Sequence, residues 1–580
     1  MKSRTSFFNI TVLRKDITRF APVWALYAVG LLLTLLLCPD KSSGGIADLL
    51  QGLCQPIVAF NLLYGGVCAA LLFGDLFVPR LCNVLHALPL RREGWFLTHL
   101  CAGALFCIVP NVLFAVVCTL FLGKFVFLAF LWLAVAVVSF LFFFGVGVFS
   151  AMCAGNRLGM AAVYGILNFL SLLAFLILSV FQPLLIGVPN NLTKLTEYCP
   201  VIRMTDDYYF LLWIHNNAVR YEGICPEQWI VLGICGGIGL LFLGLSVLLY
   251  RKRKLESAGD FISLKSIRPV FLVIFTLCAG SVLYFIGELG RGVVSYFFLF
   301  VGLAIGFFIG KMLLERKVNI FTRKAFLRFG ILAASVAAVM VLIWADPAGI
   351  TRYVPEDADI DFVMLTTDQQ RYEIKADSPD NPYALTDPED IHTVTRLHQS
   401  LLRTATDDPL STRLALIYKL KNGKYVVREY EVSADTVTSE PLKKIFSSPN
   451  YVLGVTDPAS LAETINCIYL NINDKPESMY ACTPSVLLYQ QSQIGYEGRA
   501  LSLEDGNEGL VRDLLDAICK DCAEGRMAQE YLFRSDVAQY GYLSLYDVTY
   551  DGCGYSRELI LSVDCTNTIA VLEQMYDMAQ

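Results

Sequence analysis

Residues 79–99 read PRLCNVLHALPLRREGWFLTH, a short charged stretch between two apolar runs that begin near Ile57 and Leu100. A bilayer core of roughly 30 Å is crossed by about 20 helical residues. Runs of that length recur on both sides of this stretch, and they stop at Trp344. The sequence therefore predicts a polytopic α-helical membrane protein in which residues 79–99 form the loop between the second and third spans.

The composition divides the chain into two parts. The 580 residues are 55% hydrophobic with a mean hydropathy of +0.54, far more apolar than a soluble globular protein of this size. Residues 345–580 carry 19 Lys+Arg and 38 Asp+Glu, a net charge of −19. The whole chain has 46 Lys+Arg and 52 Asp+Glu, so residues 1–344 carry the remaining 27 basic and 14 acidic residues, a net charge of +13. A basic membrane part joined to an acidic soluble part indicates two compartments.

The apolar runs predict about nine spans, at residues 20–38, 57–78, 98–122, 125–150, 160–187, 229–250, 269–287, 294–314 and 326–344. The resulting domains are an interfacial helix (1–19), a six-span module (20–250), three further spans with basic inner loops (251–344) and an extracytoplasmic α+β domain (345–580). Within the eighth span, the spacing of Gly302, Gly306 and Gly310 favours close helix packing.

The positions of Lys and Arg predict the orientation, because cytoplasmic flanks carry more of them. Alternate flanks are rich in basic residues, with clusters at residues 14–19, 80–92, 251–268 and 311–328. The N-terminus is therefore expected in the cytoplasm and the C-terminal domain outside the cell. In residues 7–20, Ile10, Leu13, Ile17 and Phe20 recur at helical spacing, which is typical of a basic amphipathic helix at the membrane surface. A simple basic tail is the alternative.

The C-terminal part has the pattern of an α+β domain. Thr386–Glu389 has a capping residue, a Pro and two acids where a helix would begin. Leu414–Leu420 and Tyr425–Val432 read as strands joined by the turn Lys421–Lys424. Further helices are expected near residues 440–446, 459–466, 508–523 and 566–578, and further strands near 467–472, 541–549 and 558–563.

The 79–99 loop has the residues that docking onto a soluble motor subunit requires. Its apolar side chains are suited to entering a cleft, its arginines to fixing orientation, and its Pro to breaking one helix before the next begins. The residues concerned are Leu85, Leu88, Pro89, Leu90, Arg91, Arg92, Glu93 and Trp95. The alternative is a basic inner loop that Trp95 merely anchors at the membrane surface.

Polar side chains within the apolar runs are candidates for function. Asp75 lies near the inner end of the second span, and a structural pair with Arg80 is favoured over contact with cargo. Pro110, Asn111 and Asn168 are candidates for lining a kinked, polar path through the spans.

Twelve of the 18 cysteines precede Trp344, mostly in apolar runs where Cys acts as a small hydrophobe. Cys199 and Cys225 flank an outer-loop segment and are either bridged or free. Cys519 and Cys522 fall at the end of a predicted helix, where the dipole disfavours thiolate, so a structural disulfide or inert thiols are favoured over redox chemistry.

No catalytic constellation is evident in the sequence. There is no HExxH or GxSxG motif, and His392 and His398 have no third metal ligand nearby. Gly310-Lys311 lacks the spacing and the Ser/Thr of a phosphate-binding loop. The chain is expected to be no enzyme and to bind no cofactor or metal.

An N-terminal interfacial helix, six spans, an LPLRRE-type loop between the second and third, and a long outer loop between the fifth and sixth resemble the ABC-2 type permease family over residues 1–250. Residues 386–402 and 416–430 resemble the extracytoplasmic domain of a Gram-positive subgroup with extra spans. The family's minimal module has six spans, fewer than the nine predicted. The resemblance implies an ABC ATPase subunit that binds ATP and Mg²⁺, a second permease chain (identical or not) and residence in the cell membrane.

The function expected from these features is that of a non-catalytic permease subunit driven through the 79–99 loop. Its cargo would be a peptide or amphiphile for export or resistance, and the acidic domain either captures a cationic cargo or is acidic only for solubility. Nucleic acid is not expected among the partners. The alternative is a membrane sensor whose outer domain binds a ligand; a membrane-anchored hydrolase would need a catalytic site that the sequence lacks.

Overall fold

The computed structural model describes the chain in segments. They are residues 8–39, 41–82, 91–122, 126–205, 212–215, 218–221, 226–253, 255–288, 293–367, 383–402, 412–432, 440–455, 457–473, 475–484, 486, 498–503, 509–527, 539–549 and 552–579. Contacts divide the chain into two units. The helical unit comprises residues 1–184 and 190–344, and the C-terminal unit comprises residues 185–189 and 345–580.

Long apolar helices make up most of the helical unit. In chain order the described α-helices of this unit, long and short, are α1 Ile10–Arg19, α2 Ala21–Leu37, α3 Ser43–Leu72, α4 Arg92–Leu122, α5 Val126–Cys153, α6 Arg157–Asn168, α7 Leu170–Ser179, α8 Lys194–Glu197, α9 Pro200–Thr205, α10 Pro226–Lys252, α11 Ile267–Gly287, α12 Val293–Glu315 and α13 Arg323–Ala345. A two-stranded antiparallel ribbon, β1 Leu212–His215 and β2 Ala218–Tyr221, precedes α10.

Seven helices of the described residues are long and apolar enough to cross a membrane, and up to nine spans result if each bent helix pair counts as one. The two pairs are α1 with α2, bent by 62°, and α6 with the helical segment that runs to Leu184, bent by 73°. They stand where the first and fifth spans are predicted. The architecture is compatible with a multi-pass helical membrane protein joined to an α+β domain.

Glycines allow several of these helices to approach closely. A Cβ at Gly145 of α5 would lie 2.5 Å from the carbonyl oxygen of Gly239 in α10. Between α12 and α11, a Cβ at Gly306 would lie 2.6 Å from Cβ of Ala279. Small residues at helix contacts are the usual basis of packing in membranes, where burial from water supplies little drive. The close packing predicted for the eighth span is confirmed.

The C-terminal unit contains two sheets, each with its own apolar core. The first is antiparallel in the order β3 Ile360–Thr367, β4 Thr412–Leu420, β5 Tyr425–Val432. The second has the order β10 Gly552–Ser562, β9 Gln539–Thr549, β6 Cys467–Ile472, β7 Met479–Cys482, β8 Arg499–Ser502, with only β7 and β8 parallel. The helices are α14 Pro388–Leu401, α15 Glu440–Phe446, α16 Pro449–Leu453, α17 Leu461–Thr464, α18 Leu510–Ala523 and α19 Thr566–Met578.

Residues 185–189 are separated in sequence from the rest of the C-terminal unit but belong to it. The backbone N–H of Glu429 in β5 donates to the carbonyl of Gly187 at 3.1 Å. Gly187 has φ +76°, and a Cβ there would lie 2.5 Å from the hydroxyl of Tyr430. Both the backbone conformation and the close approach therefore favour glycine at this position.

Candidate functional site

The structure describes only some of the predicted loop residues. Leu85, Leu88, Pro89 and Leu90 lie outside the described residues. Arg91 and Arg92 are exposed, and α4 begins at Arg92. Glu93 Oε1 lies 2.8 Å from Nη2 of Arg251, at the end of α10. The residues that follow the loop are therefore tied to a distant helix end.

Trp95 is a packing residue rather than a surface anchor, since only 6% of it is exposed. Its ring centroid lies 4.1 Å from that of His99 and 5.8 Å from that of Tyr250. Phe73, after α3, contacts both Trp95 and His99 through its ring. The aromatic cluster thus joins the start of α4 to the ends of α3 and α10, which argues against the alternative in which Trp95 only marks the membrane surface.

The N-terminal helix is bound to the same place by a buried pair that sequence reasoning missed. Asp16 Oδ2 lies 2.7 Å from Nδ1 of His99, and the two side chains are 8% and 3% exposed. The backbone N–H of Asn9 donates to Thr98 Oγ1 at 3.2 Å. A single acid among the basic residues of an amphipathic helix was the available signal, but its partner 83 positions later was not evident.

Arg253 was also missed by sequence reasoning, because it lies in the basic run of residues 251–254 and looks like its neighbours. It is buried just beyond α10. Its guanidinium donates to the carbonyls of Ala151 at 2.6 Å and Leu76 at 3.2 Å. Burial lowers the pKa of Arg253. Because Ala151 lies at the C-terminal end of α5, where the helix dipole favours a cation, Arg253 joins three segments at this end of the unit.

The predicted pair of Asp75 and Arg80 is wrong. Asp75 lies in the 3₁₀ turn Gly74–Phe77, and its Oδ1 is 3.7 Å from Nη1 of Arg19 in α1. The folded chain brings α1 alongside this turn, so the nearest cation in sequence is not the partner.

The buried pair, the aromatic cluster and the buried arginine lie together where α1, α4 and α10 meet. We call the residues Asp16, Trp95, His99, Tyr250 and Arg253 the junction.

Pro110 leaves a carbonyl available for a helix–helix hydrogen bond, and Asn111 accepts a second one. Pro110 has no N–H to give to Phe106 one turn earlier, and the Phe106 carbonyl instead accepts from the hydroxyl of Tyr64 at 3.0 Å. Asn111 accepts from the hydroxyl of Tyr27 at 2.8 Å. Both residues are buried, and their role in a path stays a prediction.

Asn168 is the last residue before the bend between α6 and α7. Its Nδ2 donates to the Tyr164 carbonyl at 2.8 Å, while its Oδ1 is buried and has no hydrogen-bond partner within the described segments. Breaking the helix here agrees with a kinked span, and lining of a path by Asn168 stays a prediction.

The cysteine predictions fare differently. Cys199 is a free, buried thiol, and Cys225 lies outside the described residues. Cys519 and Cys522 are also free, so a disulfide between them is wrong; both lie in helix α18, and burial raises the pKa of each, which suits inert thiols. Among the described residues, a disulfide joins Cys467 and Cys482 across β6 and β7. Both were among the tail cysteines, but only the strand register pairs them.

The C-terminal unit buries one histidine. His398 Nδ1 lies 3.1 Å from the hydroxyl of Tyr418, and Nε2 lies 2.9 Å from the hydroxyl of Tyr430. Burial, helped by the charge of Arg428, lowers the pKa of His398 to about 4. Within the described residues no group of three or more His, Cys, Asp or Glu could hold a metal ion.

We expect His398 to make the stability of this sheet depend on pH. In the unfolded chain, His398 binds a proton near pH 6.5. In the folded chain, His398 binds that proton only near pH 4. The contribution of His398 to the free energy of unfolding is therefore complete above about pH 6.5 and is lost as the pH falls toward 4. The expected loss is roughly 1–3 kcal/mol after allowing for solvent screening. Hydrogen exchange of β4 and β5 in the intact protein measures this.

His398→Gln should flatten the pH dependence between 6.5 and 4. Gln399→Ala is the matched control, because Gln399 is exposed on the same helix and carries no group that titrates. It should leave the slope in this window unchanged. Equal slopes for wild type and His398→Gln would contradict the assignment.

Comparison with known proteins identifies no family for this chain. No protein-family model, no curated protein and no solved structure matches the chain.

Proposed function

We propose that the chain is the membrane-spanning permease subunit of an ABC transporter, driven by a separate ATPase subunit through residues 79–99. The observation that carries the proposal is the junction. Within two turns of its start, α4 contacts α1 through Asp16 and His99, and it contacts the end of α10 through Trp95 and Tyr250. A displacement of the preceding loop would therefore reach three helices at once, as an externally driven transporter requires.

In this proposal the N-terminus is cytoplasmic and the C-terminal unit is extracellular. The basic clusters at residues 14–19, 80–92, 251–268 and 311–328, which fall on alternate flanks of the predicted spans, support it. The Cys467–Cys482 disulfide supports it too, because disulfides persist in oxidising compartments. Residues 185–189 give further support, since four long helices separate them from residue 345. An even number of crossings returns the chain to the same side, where both segments of the unit can meet.

The partner ATPase would bind ATP and Mg²⁺, and this chain would supply the path. A second permease chain would complete the transporter, as the resemblance to ABC-2 permeases implies. Closure of the ATPase subunits would push the 79–99 loop, and the junction would convert this push into a joint movement of α1, α4 and α10. The cargo class that we propose is a peptide or amphiphile.

The test is a loop variant that combines Leu88→Ala, Arg91→Glu and Arg92→Glu. We expect co-purification with an ATPase encoded in a neighbouring reading frame, and the stimulation of its ATP hydrolysis, to fall at least tenfold, which is about 1.4 kcal/mol or more. The control carries Lys252→Glu and Lys265→Glu, the same charge change at two other exposed residues.

Unchanged co-purification and hydrolysis in the loop variant would remove residues 79–99 from the mechanism. Transport measured after reconstitution with the ATPase separates a permease from a sensor, since a sensor would respond to ligand without moving cargo.

A further inference from the structure

The connection between α12 and α13 is a strongly basic, exposed turn. It runs from Arg316 to Thr322, and the first turns of α13 follow directly. Four exposed cations in this region, Lys317, Arg323, Lys324 and Arg328, form no ion pair with a carboxylate of the described chain. The only acid in residues 311–328 is Glu315, which pairs with Lys311 at 3.6 Å. We call the four cations and their two apolar neighbours, Val318 and Phe321, the basic turn.

Apolar side chains are exposed between these cations. Val318 is 79% exposed and Phe321 is 54% exposed. Phe321 is held in place by its ring contact with Phe308, at 5.2 Å between centroids, and Phe308 also contacts Phe326 at 5.2 Å. Exposed apolar groups alternating with cations are typical of segments that lie in the interface of a membrane.

The position of the turn agrees with that environment. Both α12 and α13 are candidate membrane spans, so their connection stands at the level of the lipid headgroups. The most apolar stretch of α13 has no residue buried inside the helical unit, so the helix is open to lipid along that stretch. Arg323 and Lys324 occupy the first turn of α13 with no acid beside them. Positive charge is unfavourable there unless an anion is near.

We propose that the basic turn binds the headgroups of anionic phospholipids, such as phosphatidylglycerol, in the leaflet that it faces. The phosphates pair with the four cations, and Val318 and Phe321 enter the acyl boundary beside them. A zwitterionic headgroup brings its own cation and would be held less well. Each basic residue near an anionic membrane surface adds roughly a fivefold factor to binding, so the four together give a strong preference for anionic lipid.

The experiment uses the full chain in a neutral detergent and titrates it with dioleoylphosphatidylglycerol, dioleoylphosphatidylcholine or sodium phosphate. All six tryptophans lie at or before residue 344, so their fluorescence reports the thermal unfolding of the helical unit. We expect phosphatidylglycerol alone to raise the unfolding midpoint. Lys317→Gln/Arg323→Gln/Lys324→Gln/Arg328→Gln should weaken the apparent affinity for phosphatidylglycerol at least tenfold.

The matched control, Arg396→Gln/Lys424→Gln/Arg512→Gln/Lys520→Gln, removes four exposed charges from the C-terminal unit and none from the membrane-spanning helices or their flanks, so it should stay within about twofold of wild type. If the quadruple variant of the turn does not fold, Lys317→Gln/Lys324→Gln decides, with an expected loss of at least threefold. Wild-type affinity in the variant of the turn, an equal shift with phosphatidylcholine, or an equal shift with phosphate alone would overturn the proposal.

Discussion

Asp521→Ala will lower the free energy of unfolding of the segment around α19 by about 3–5 kcal/mol. The Asp521 carboxylate is fully buried in α18. Its Oδ2 accepts from both the backbone N–H and the hydroxyl of Thr568, each at 2.7 Å, and its Oδ1 accepts from Nδ2 of Asn567 at 2.7 Å. Alanine leaves these donors at the start of α19 without an acceptor, which costs their full desolvation.

Hydrogen exchange of residues 566–578 in the intact protein measures the effect. Asp521→Asn keeps one acceptor oxygen and should lose about half as much. Asp513→Ala is the matched control, because Asp513 is exposed on the same helix, and it should change stability by less than about 0.5 kcal/mol. A loss below about 1 kcal/mol for Asp521→Ala would show that the capping contacts are not what holds α19.

Asp521 also illustrates what sequence reasoning can and cannot find. It lies inside the motif Cys519-Lys-Asp-Cys522, which drew attention to the thiols, while the acid between them makes the structural contacts. Its partners are more than 40 residues away along the chain, and no local pattern indicates them. The spacing of two cysteines is visible in the sequence, but the helix that an acid caps depends on the tertiary fold.

Features set by neighbouring residues were predicted well. Asp387 accepts from the backbone N–H of Glu389 at the start of α14, as the cap, Pro and acid pattern indicates. The turn between β4 and β5 has Gly423 at φ +80°, where glycine was expected. Apolar runs located the helices, since a long run without charges has few alternatives to a helix at that length.

Features set by distant contacts were not predicted. Asp75 finds Arg19 rather than Arg80, because α1 lies beside the turn that carries it. Cys467 and Cys482 pair because β6 and β7 bring them opposite each other, which the sequence did not reveal. In the candidate site, the loop and its flanking Trp95 were found from composition, but Asp16, His99, Tyr250 and Arg253 were not. Each of these depends on which helix ends meet.

The second large effect is expected at Arg253. Arg253→Ala will lower the free energy of unfolding of the helical unit by about 3–5 kcal/mol and its unfolding midpoint by at least about 5 °C. The loss leaves the carbonyls of Leu76 and Ala151 buried without their charged donor. Arg253→Lys keeps the charge but cannot donate in two directions with a planar fork, so it should recover less than half of the loss. Tryptophan fluorescence during thermal unfolding of the purified protein is the measurement.

Lys252→Ala is the matched control, since Lys252 is the exposed neighbour in the same basic run, and it should leave the midpoint within about 1 °C. Arg253 joins the end of α5, the turn after α3 and the end of α10, so its replacement uncouples the segments that the junction holds together. If the chain is an ATP-driven permease, Arg253→Lys should keep ATPase binding while reducing stimulated hydrolysis, because docking and transmission then depend on different residues. A wild-type midpoint in Arg253→Ala would mean that these backbone contacts contribute little to the unit, and the junction would lose the residue that ties α5 to it.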